Sequence, residues 1–167
     1  MRNVSVKNLK WLLLAGAVVL LDQVTKHLVI MHLSTSEPWV LLPNLNFILS
    51  YNAGAAWNFL SDASGWQRWF FCGIALLVSG VIIVWIMRLT AKELGMALAL
   101  SLILGGALGN LWDRIDYGYV IDFIQVHAGQ WYFPSFNVAD SAITVGAIIL
   151  IFISFIYQGE KIHEKSF

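Results

Sequence analysis

The sequence predicts an all-α integral membrane protein, a bundle of four transmembrane helices in a single membrane-embedded domain. Its 167 residues are 59% hydrophobic and 12% charged, with a mean hydropathy of +0.72, which is unlike a soluble globular domain. Four apolar stretches are long enough to cross a bilayer core, which takes roughly 20 helical residues. The charged residues fall in short clusters between these stretches, as expected where an unpaired charge at the bilayer centre costs several kcal/mol.

The four helices are predicted at about residues 11–31, 69–87, 94–112 and 141–157. The first is apolar through Leu21 and then contains Asp22 and Lys26. Its small residues at 15–17 lie in the middle of the apolar stretch, so we interpret it as an uncleaved anchor and not as a cleaved signal peptide. Charged side chains mark the ends of the other three helices: Arg68 and Arg88, Glu93 and Asp113, and Asp140.

The distribution of Lys and Arg predicts the orientation in the membrane. Seven such residues lie before helix 1, between helices 2 and 3, or after helix 4, and only two lie in the opposite loops. Both termini are therefore expected in the cytoplasm. The two long loops, at about 32–68 and 113–140, are expected on the outer face. The seven are Arg2, Lys7, Lys10, Arg88, Lys92, Lys161 and Lys165, and the two are Arg68 and Arg114.

The outer loops contain short patterns typical of strands. In the first loop, residues 39–42 and 45–51 flank Pro43 and Asn44, and residues 52–60 are predicted to form a short interfacial helix. In the second loop, residues 120–126 and 131–136 flank a turn at 127–130 and predict a hairpin.

Asp122 and Asp140 are the clearest candidates for chemistry. Asp122 lies among Val, Ile and Phe, where a carboxyl group requires partners. Asp140 precedes helix 4, and a helix N-cap is the alternative role for it. Two carboxyl groups in apolar surroundings share a proton, since burial and like charge both raise a pKa. Such a pair can activate water as in an aspartic peptidase, and we expect neither a metal nor a cofactor.

Other polar residues in or near the helices have structural alternatives. Asp22 and Lys26 are four residues apart, so they lie on one face of helix 1. A structural ion pair and a direct substrate role are equally consistent with this spacing. Asn110 and Arg114 are likewise four apart, after a glycine-rich segment at 105–109 that predicts close helix packing. Cys72 is interpreted as a buried apolar residue.

Five segments occur in an order and spacing that resemble the bacterial lipoprotein signal peptidases, also called signal peptidase II. They are DQVTK at 22–26, YNAGAAW at 51–57, GALGNLWDR at 106–114, VIDF at 120–123 and FNVADS at 136–141. The resemblance runs from about residue 21 to residue 146. Trp57 stands where phenylalanine is more usual, and this aromatic substitution leaves the resemblance intact.

The resemblance implies an endopeptidase of the bacterial inner membrane that cuts diacylglyceryl-modified prolipoproteins immediately before the lipid-bearing cysteine. It implies that Asp122 and Asp140 are the catalytic pair. It further implies a small periplasmic β-cradle and a short interfacial helix, built largely from the first outer loop. Residues matching family positions that bind substrate or support the pair are Asn52, Gly54, Asn110, Arg114 and Asn137, with Asp22 and Lys26 in a supporting role.

Two other classes of protein are consistent with parts of the pattern. An ion-coupled transporter would also contain acidic residues in the membrane, but it predicts such residues along a path, and helices 2 and 4 have none within their spans. A non-catalytic scaffold leaves Asp122 without a role. The zero net charge gives no indication of a nucleic-acid partner. The expected partners are the prolipoprotein and membrane lipid, with the chain acting as a monomer.

Overall fold

The computed structural model describes residues 8–35, 37–54 and 65–164, with side chains described as far as residue 156. The described chain forms four long helices and one small antiparallel sheet. In chain order the elements are α1 (Leu9–His32), β1 (Trp39–Leu42), β2 (Leu45–Asn52), α2 (Trp66–Arg88), α3 (Leu94–Asp116), β3 (Val120–Ala128), β4 (Trp131–Tyr132) and α4 (Val138–Glu164).

The predicted fold class is confirmed, because all four helices are long and apolar enough to cross a membrane. Four helix ends differ from the predicted bounds by three residues or more. Helix α2 begins at Trp66 instead of residue 69, and α4 ends at Glu164 instead of residue 157. Helix α3 continues to Asp116, so Asp113 and Arg114 lie inside it. Helix α4 begins at Val138, three residues early. Charge marked the helix ends poorly here because these side chains find polar partners within the bundle.

Helix α3 lies at the centre and packs against each of the other three helices. A Cβ atom added at Gly105 would lie 2.6 Å from the Val18 Cβ of α1. One added at Gly106 would overlap the Ala139 carbonyl oxygen of α4. The absent side chains therefore allow the backbones to approach closely, which confirms the predicted packing role of the glycines. No packed interface between α2 and α4 is found among the described residues.

The four strands form a single sheet in the order β1-β2-β3-β4. Each outer loop contributes two strands. Strand β2 of the first loop pairs with β3 of the second, which joins the four strands into one sheet and places Ser50 opposite Asp122. The expectation that the sheet comes largely from the first loop is therefore wrong. A hairpin joins β3 to β4, but β4 stops at Tyr132, well before the predicted residue 136. Pro134 follows closely and has no N–H group to pair.

The sheet covers the end of the bundle where α1 and α3 finish and where α2 and α4 begin. The apolar core lies toward the opposite end, with Ile86, Leu100 and Leu104 at its centre. Polar side chains are buried under the sheet instead. Of the predicted interfacial helix at 52–60, Asn52 belongs to β2, and residues 55–64 lie outside the described residues.

Candidate active site

Two carboxyl groups from different elements face one cavity of about 950 Å³ at the sheet end of the bundle. Asp122 lies on β3 and is only 2% exposed to solvent. Asp140 lies in the first turn of α4. We call these two residues the acid pair. Three other residues predicted for the site also line the cavity: Asn52, Asn110 and Arg114.

Asn137 joins the acid pair. The Asn137 side-chain Oδ1 accepts a hydrogen bond from the Asp140 backbone N–H at 2.9 Å. The Asn137 backbone N–H donates to Asp140 Oδ2 at 3.2 Å. These reciprocal bonds form a capping box in which Asn137 is the N-cap of α4 and Asp140 is the third helical residue. The alternative role of Asp140 as the N-cap is therefore wrong. The Asn137 Nδ2 also donates to Asp122 Oδ1 at 2.8 Å, so one buried side chain binds the Asp122 carboxyl group and the Asp140 backbone.

Asp122 is held by an amide on each oxygen, since Asn52 Nδ2 donates to its Oδ2 at 3.1 Å. Burial, followed by the nearby charge of Asp140, raises the pKa of Asp122 to about 7. The hydrogen bonds from Asn52 and Asn137 and the charge of Lys26 only partly oppose this shift. Near neutral pH, Asp122 therefore retains a proton in a substantial fraction of molecules.

Asp140 is bound through both of its carboxyl oxygens. Its Oδ1 accepts from Asn110 Nδ2 at 2.7 Å, and its Oδ2 accepts from the backbone at the start of α4. A negative charge in the first turn of a helix is also stabilised by the helix dipole. The Asn110 amide can point only one way, because its Oδ1 accepts from Lys26 Nζ and from Asn137 Nδ2, both at 3.1 Å.

Arg114 connects the cavity wall to the end of β2. Its Nη2 donates to the Gly54 carbonyl at 3.0 Å, and its guanidinium lies over the Phe71 ring at 5.1 Å from the centroid. The Gly54 N–H in turn donates to Asn52 Oδ1 at 3.0 Å. Gly54 is therefore linked to the site through its backbone, which fixes the amide that Asn52 presents to Asp122.

Asp22 and Lys26 form the predicted ion pair, with Lys26 Nζ 2.7 Å from Asp22 Oδ2. Neither residue is part of the cavity lining, which favours the structural interpretation over direct substrate contact. Lys26 Nζ also lies 2.8 Å from Asp113 Oδ2. Asp113 was predicted only as a helix-end charge, yet it is fully buried.

The role of Asp113 could have been suspected from its spacing. It falls one turn after Asn110, on the same face of α3, so a polar residue there would be buried with it. Gln23 was also missed, and its Nε2 donates to Asp113 Oδ1 at 2.7 Å. Among the described residues, no group of three His, Cys, Asp or Glu side chains could hold a metal ion. The expectation of a metal-free reaction stays a prediction.

Chemically, the cavity brings together two hydrogen-bonded carboxyl groups, of which Asp122 has a pKa raised to about 7. A water molecule between them would have a base on one side and a proton donor on the other. Ser141 also lines the cavity, but its hydroxyl donates to the Asn137 carbonyl at 2.9 Å.

The family model for signal peptidase (SPase) II matches residues 14–156. A protein named lipoprotein signal peptidase from Pseudomonas syringae pv. tomato is 52% identical over 150 residues, covering 89% of this chain and 87% of that protein. One of the same name from Acinetobacter baumannii is 49% identical over 154 residues, covering 92% and 88%.

A solved structure described as a bacterial membrane enzyme, determined by the in meso method at 2.3 Å, superimposes with a TM-score of 0.83. The two chains are 33% identical, and 96% of each is covered. The family model, the relatives and the solved structure each match most of the chain. The chain therefore belongs to the signal peptidase II family and is a membrane peptidase.

Proposed function

We propose that this chain is an aspartic endopeptidase that removes signal peptides from lipid-modified prolipoproteins, cutting immediately before the lipid-bearing cysteine. The observation that carries the proposal is the acid pair, Asp122 and Asp140, linked through Asn137 and facing one cavity. The relatives are named lipoprotein signal peptidase, which favours this class over the transporter and the scaffold considered from the sequence.

In the proposed reaction, the Asp140 carboxylate accepts a proton from water while the water oxygen bonds to the carbonyl carbon of the scissile peptide. Protonated Asp122 donates its proton to the carbonyl oxygen, so a neutral tetrahedral diol forms. The proton held by Asp140 then passes to the peptide nitrogen as the C–N bond breaks. Asp122 recovers a proton from the diol, leaving a carboxylic acid and a free amine. General acid–base transfer of this kind accelerates a reaction by roughly 10² to 10⁴-fold.

Access from the bilayer is consistent with an apolar substrate. The cavity lining continues along α4 to Val145, about 7.5 Å of helix beyond Asp140. The described parts of α2 and α4 have no packed interface, so a signal peptide can approach α3 from the lipid between them. The diacylglyceryl chains would stay in lipid beside the site.

Arg114 supports this binding mode because it already donates to a backbone carbonyl, that of Gly54. An arginine has five donors in a planar arrangement, so it can bind substrate carbonyls in an extended segment. We further propose that the enzyme lies in the bacterial inner membrane with both termini in the cytoplasm. The Lys and Arg distribution described above supports this orientation.

The decisive experiment compares Asp122→Asn and Asp140→Asn with wild type in a purified assay. The substrates are a diacylglyceryl-modified prolipoprotein and its unmodified form, with cleavage followed by gel shift and the cut site by mass spectrometry. Each variant should lose at least roughly 10²-fold in kcat. Asp116→Asn is the matched control, since Asp116 is an exposed acid on α3 outside the cavity.

Full activity in either site variant would reject the acid pair, and equal cleavage of both substrates would reject the requirement for lipid. Ser141→Ala and Cys72→Ser should keep their turnover, because neither side chain is paired with a base among the described contacts. Loss of turnover in Ser141→Ala alone would support a serine nucleophile instead. Inhibition by a chelator would contradict the metal-free mechanism.

A further inference from the structure

A second group of charged side chains lies beneath the acid pair, outside the cavity. It consists of Asp22, Lys26 and Asp113, which we call the buried triad. Asp22 and Asp113 are fully buried and Lys26 is 1% exposed. Lys26 Nζ contacts the two carboxylates at 2.7 and 2.8 Å and Asn110 Oδ1 at 3.1 Å, so all three of its N–H donors are used.

Each carboxylate of the buried triad binds one backbone amide. Asp113 Oδ2 accepts from the Ile121 N–H at 3.0 Å. Asp22 Oδ1 accepts from the Ala139 N–H at 2.9 Å. Ile121 and Ala139 immediately precede Asp122 and Asp140 in the chain. The triad therefore holds the backbone N–H of the residue immediately before each member of the acid pair.

Neither amide has a backbone alternative in this arrangement. Ala139 is the second residue of α4, and the first four N–H groups of a helix have no partner within it. The Ile121 N–H points to α3, where it meets a carboxylate and not another strand. Its carbonyl accepts from Asn137 Nδ2 at 3.2 Å, so both polar groups of Ile121 are bound by side chains.

We propose that the buried triad is a positioning unit, in which Asp22 and Asp113 set the separation of the acid pair through Ala139 and Ile121. One ammonium group joins both carboxylates, so the start of β3 and the start of α4 are located relative to a single side chain of α1. The inference rests on the proposed function of the acid pair and extends it. Asp22, Lys26 and Asp113 are positioning residues and do not contact substrate.

The test uses Asp22→Asn and Asp113→Asn in the full-length purified enzyme. Asparagine keeps the size of the side chain but has only one acceptor oxygen. In Asp22→Asn an N–H group must face either Lys26 or the Ala139 N–H. In Asp113→Asn an N–H group must face either Gln23 or the oxygen site shared by Lys26 and the Ile121 N–H. A displacement of about 1 Å at a reacting group costs roughly 10²-fold in rate. We expect kcat per folded molecule to fall by roughly tenfold to 10²-fold.

Binding should be almost unaffected, because the triad does not line the cavity. The probe is a lipidated prolipoprotein peptide with a reduced methyleneamino bond at the cut site. Its Kd should stay within roughly threefold of wild type, a factor worth less than 1 kcal/mol. A merely structural role would lower the amount of folded protein and leave kcat per folded molecule unchanged. Asp116→Asn is again the control for loss of an acidic group on α3.

Gly109→Ala reaches the same contact without removing a charged group. A Cβ atom at this position would lie 2.7 Å from Asp22 Oδ2, so the carboxylate must move from Ala139. Its kcat should fall in the same range, again with Kd retained. Wild-type kcat in all three variants overturns the inference, and so does failure of all three to accumulate as folded protein, which would limit the triad to folding.

Asp122→Asn measured in parallel separates this inference from the proposed function. An active Asp122→Asn variant would overturn the proposed function itself. An inactive Asp122→Asn variant beside fully active triad variants would overturn only the positioning role.

Discussion

Asn137 offers the most informative single perturbation, because one fully buried side chain caps α4 and also holds Asp122. Replacing Asn137 with alanine removes both functions, whereas serine keeps an oxygen that can cap the helix but is too short to reach Asp122. Serine and asparagine are comparably good N-cap residues. The pair of variants therefore separates the stability of the helix end from the placement of the acid pair.

The expected magnitudes follow from the bonds that are lost. Loss of an N-cap costs about 1 kcal/mol of the free energy of unfolding. Loss of the hydrogen bond to Asp122 removes about 1 kcal/mol more, and up to about 3 kcal/mol if the carboxyl group is charged. Asn137→Ala should therefore lower the free energy of unfolding by about 2 to 4 kcal/mol. Asn137→Ser should recover about 1 kcal/mol of that loss.

Activity should respond differently from stability. Both variants leave Asp122 without its 2.8 Å contact, so both should show a kcat roughly 10²-fold below wild type. The assay combines reversible unfolding in mixed micelles with single-turnover cleavage of a lipidated prolipoprotein. A serine variant with wild-type kcat would refute the reasoning, and so would an alanine variant whose loss of activity is explained entirely by its unfolded fraction.

Three further predictions can be tested with the same assays. The pKa of Asp122 in the free enzyme is about 7 and its protonated form is the proposed acid, so kcat/KM should fall as the pH rises through about 7. A kcat/KM profile that is flat there contradicts the assignment. Arg114→Lys loses the guanidinium contact with the Gly54 carbonyl. It should lower kcat/KM by roughly tenfold, equivalent to about 1.4 kcal/mol for a bond from a charged donor. Unchanged kcat/KM with the lipidated substrate would refute the role of that contact. Gly106→Ala should reduce the free energy of unfolding by about 1 to 3 kcal/mol through overpacking, whereas Gly73→Ala on α2, with nothing within 4 Å, is the control and should cause no loss.

Local sequence patterns determined much of the architecture. Apolar length predicted all four helices, because a bilayer requires a long run of apolar residues whatever surrounds it. Strand β1 has the predicted bounds of 39–42, and the Asp22–Lys26 contact follows from helical periodicity alone. Asp122 was identified because a carboxyl group among apolar residues needs partners, and the structure supplies them in Asn52 and Asn137.

Only the tertiary structure decided which distant groups meet. Asp22 and Ala139 are 117 residues apart in the chain, and Gln23 and Asp113 are 90 apart. No periodicity connects such positions, since periodicity describes neighbours on one element and not contacts between elements. Asp113 was taken for the end of a helix because its partners come from α1 and β3. Charge and hydropathy determine where the chain crosses the membrane, whereas burial of polar groups is settled by the packing that brings their partners together.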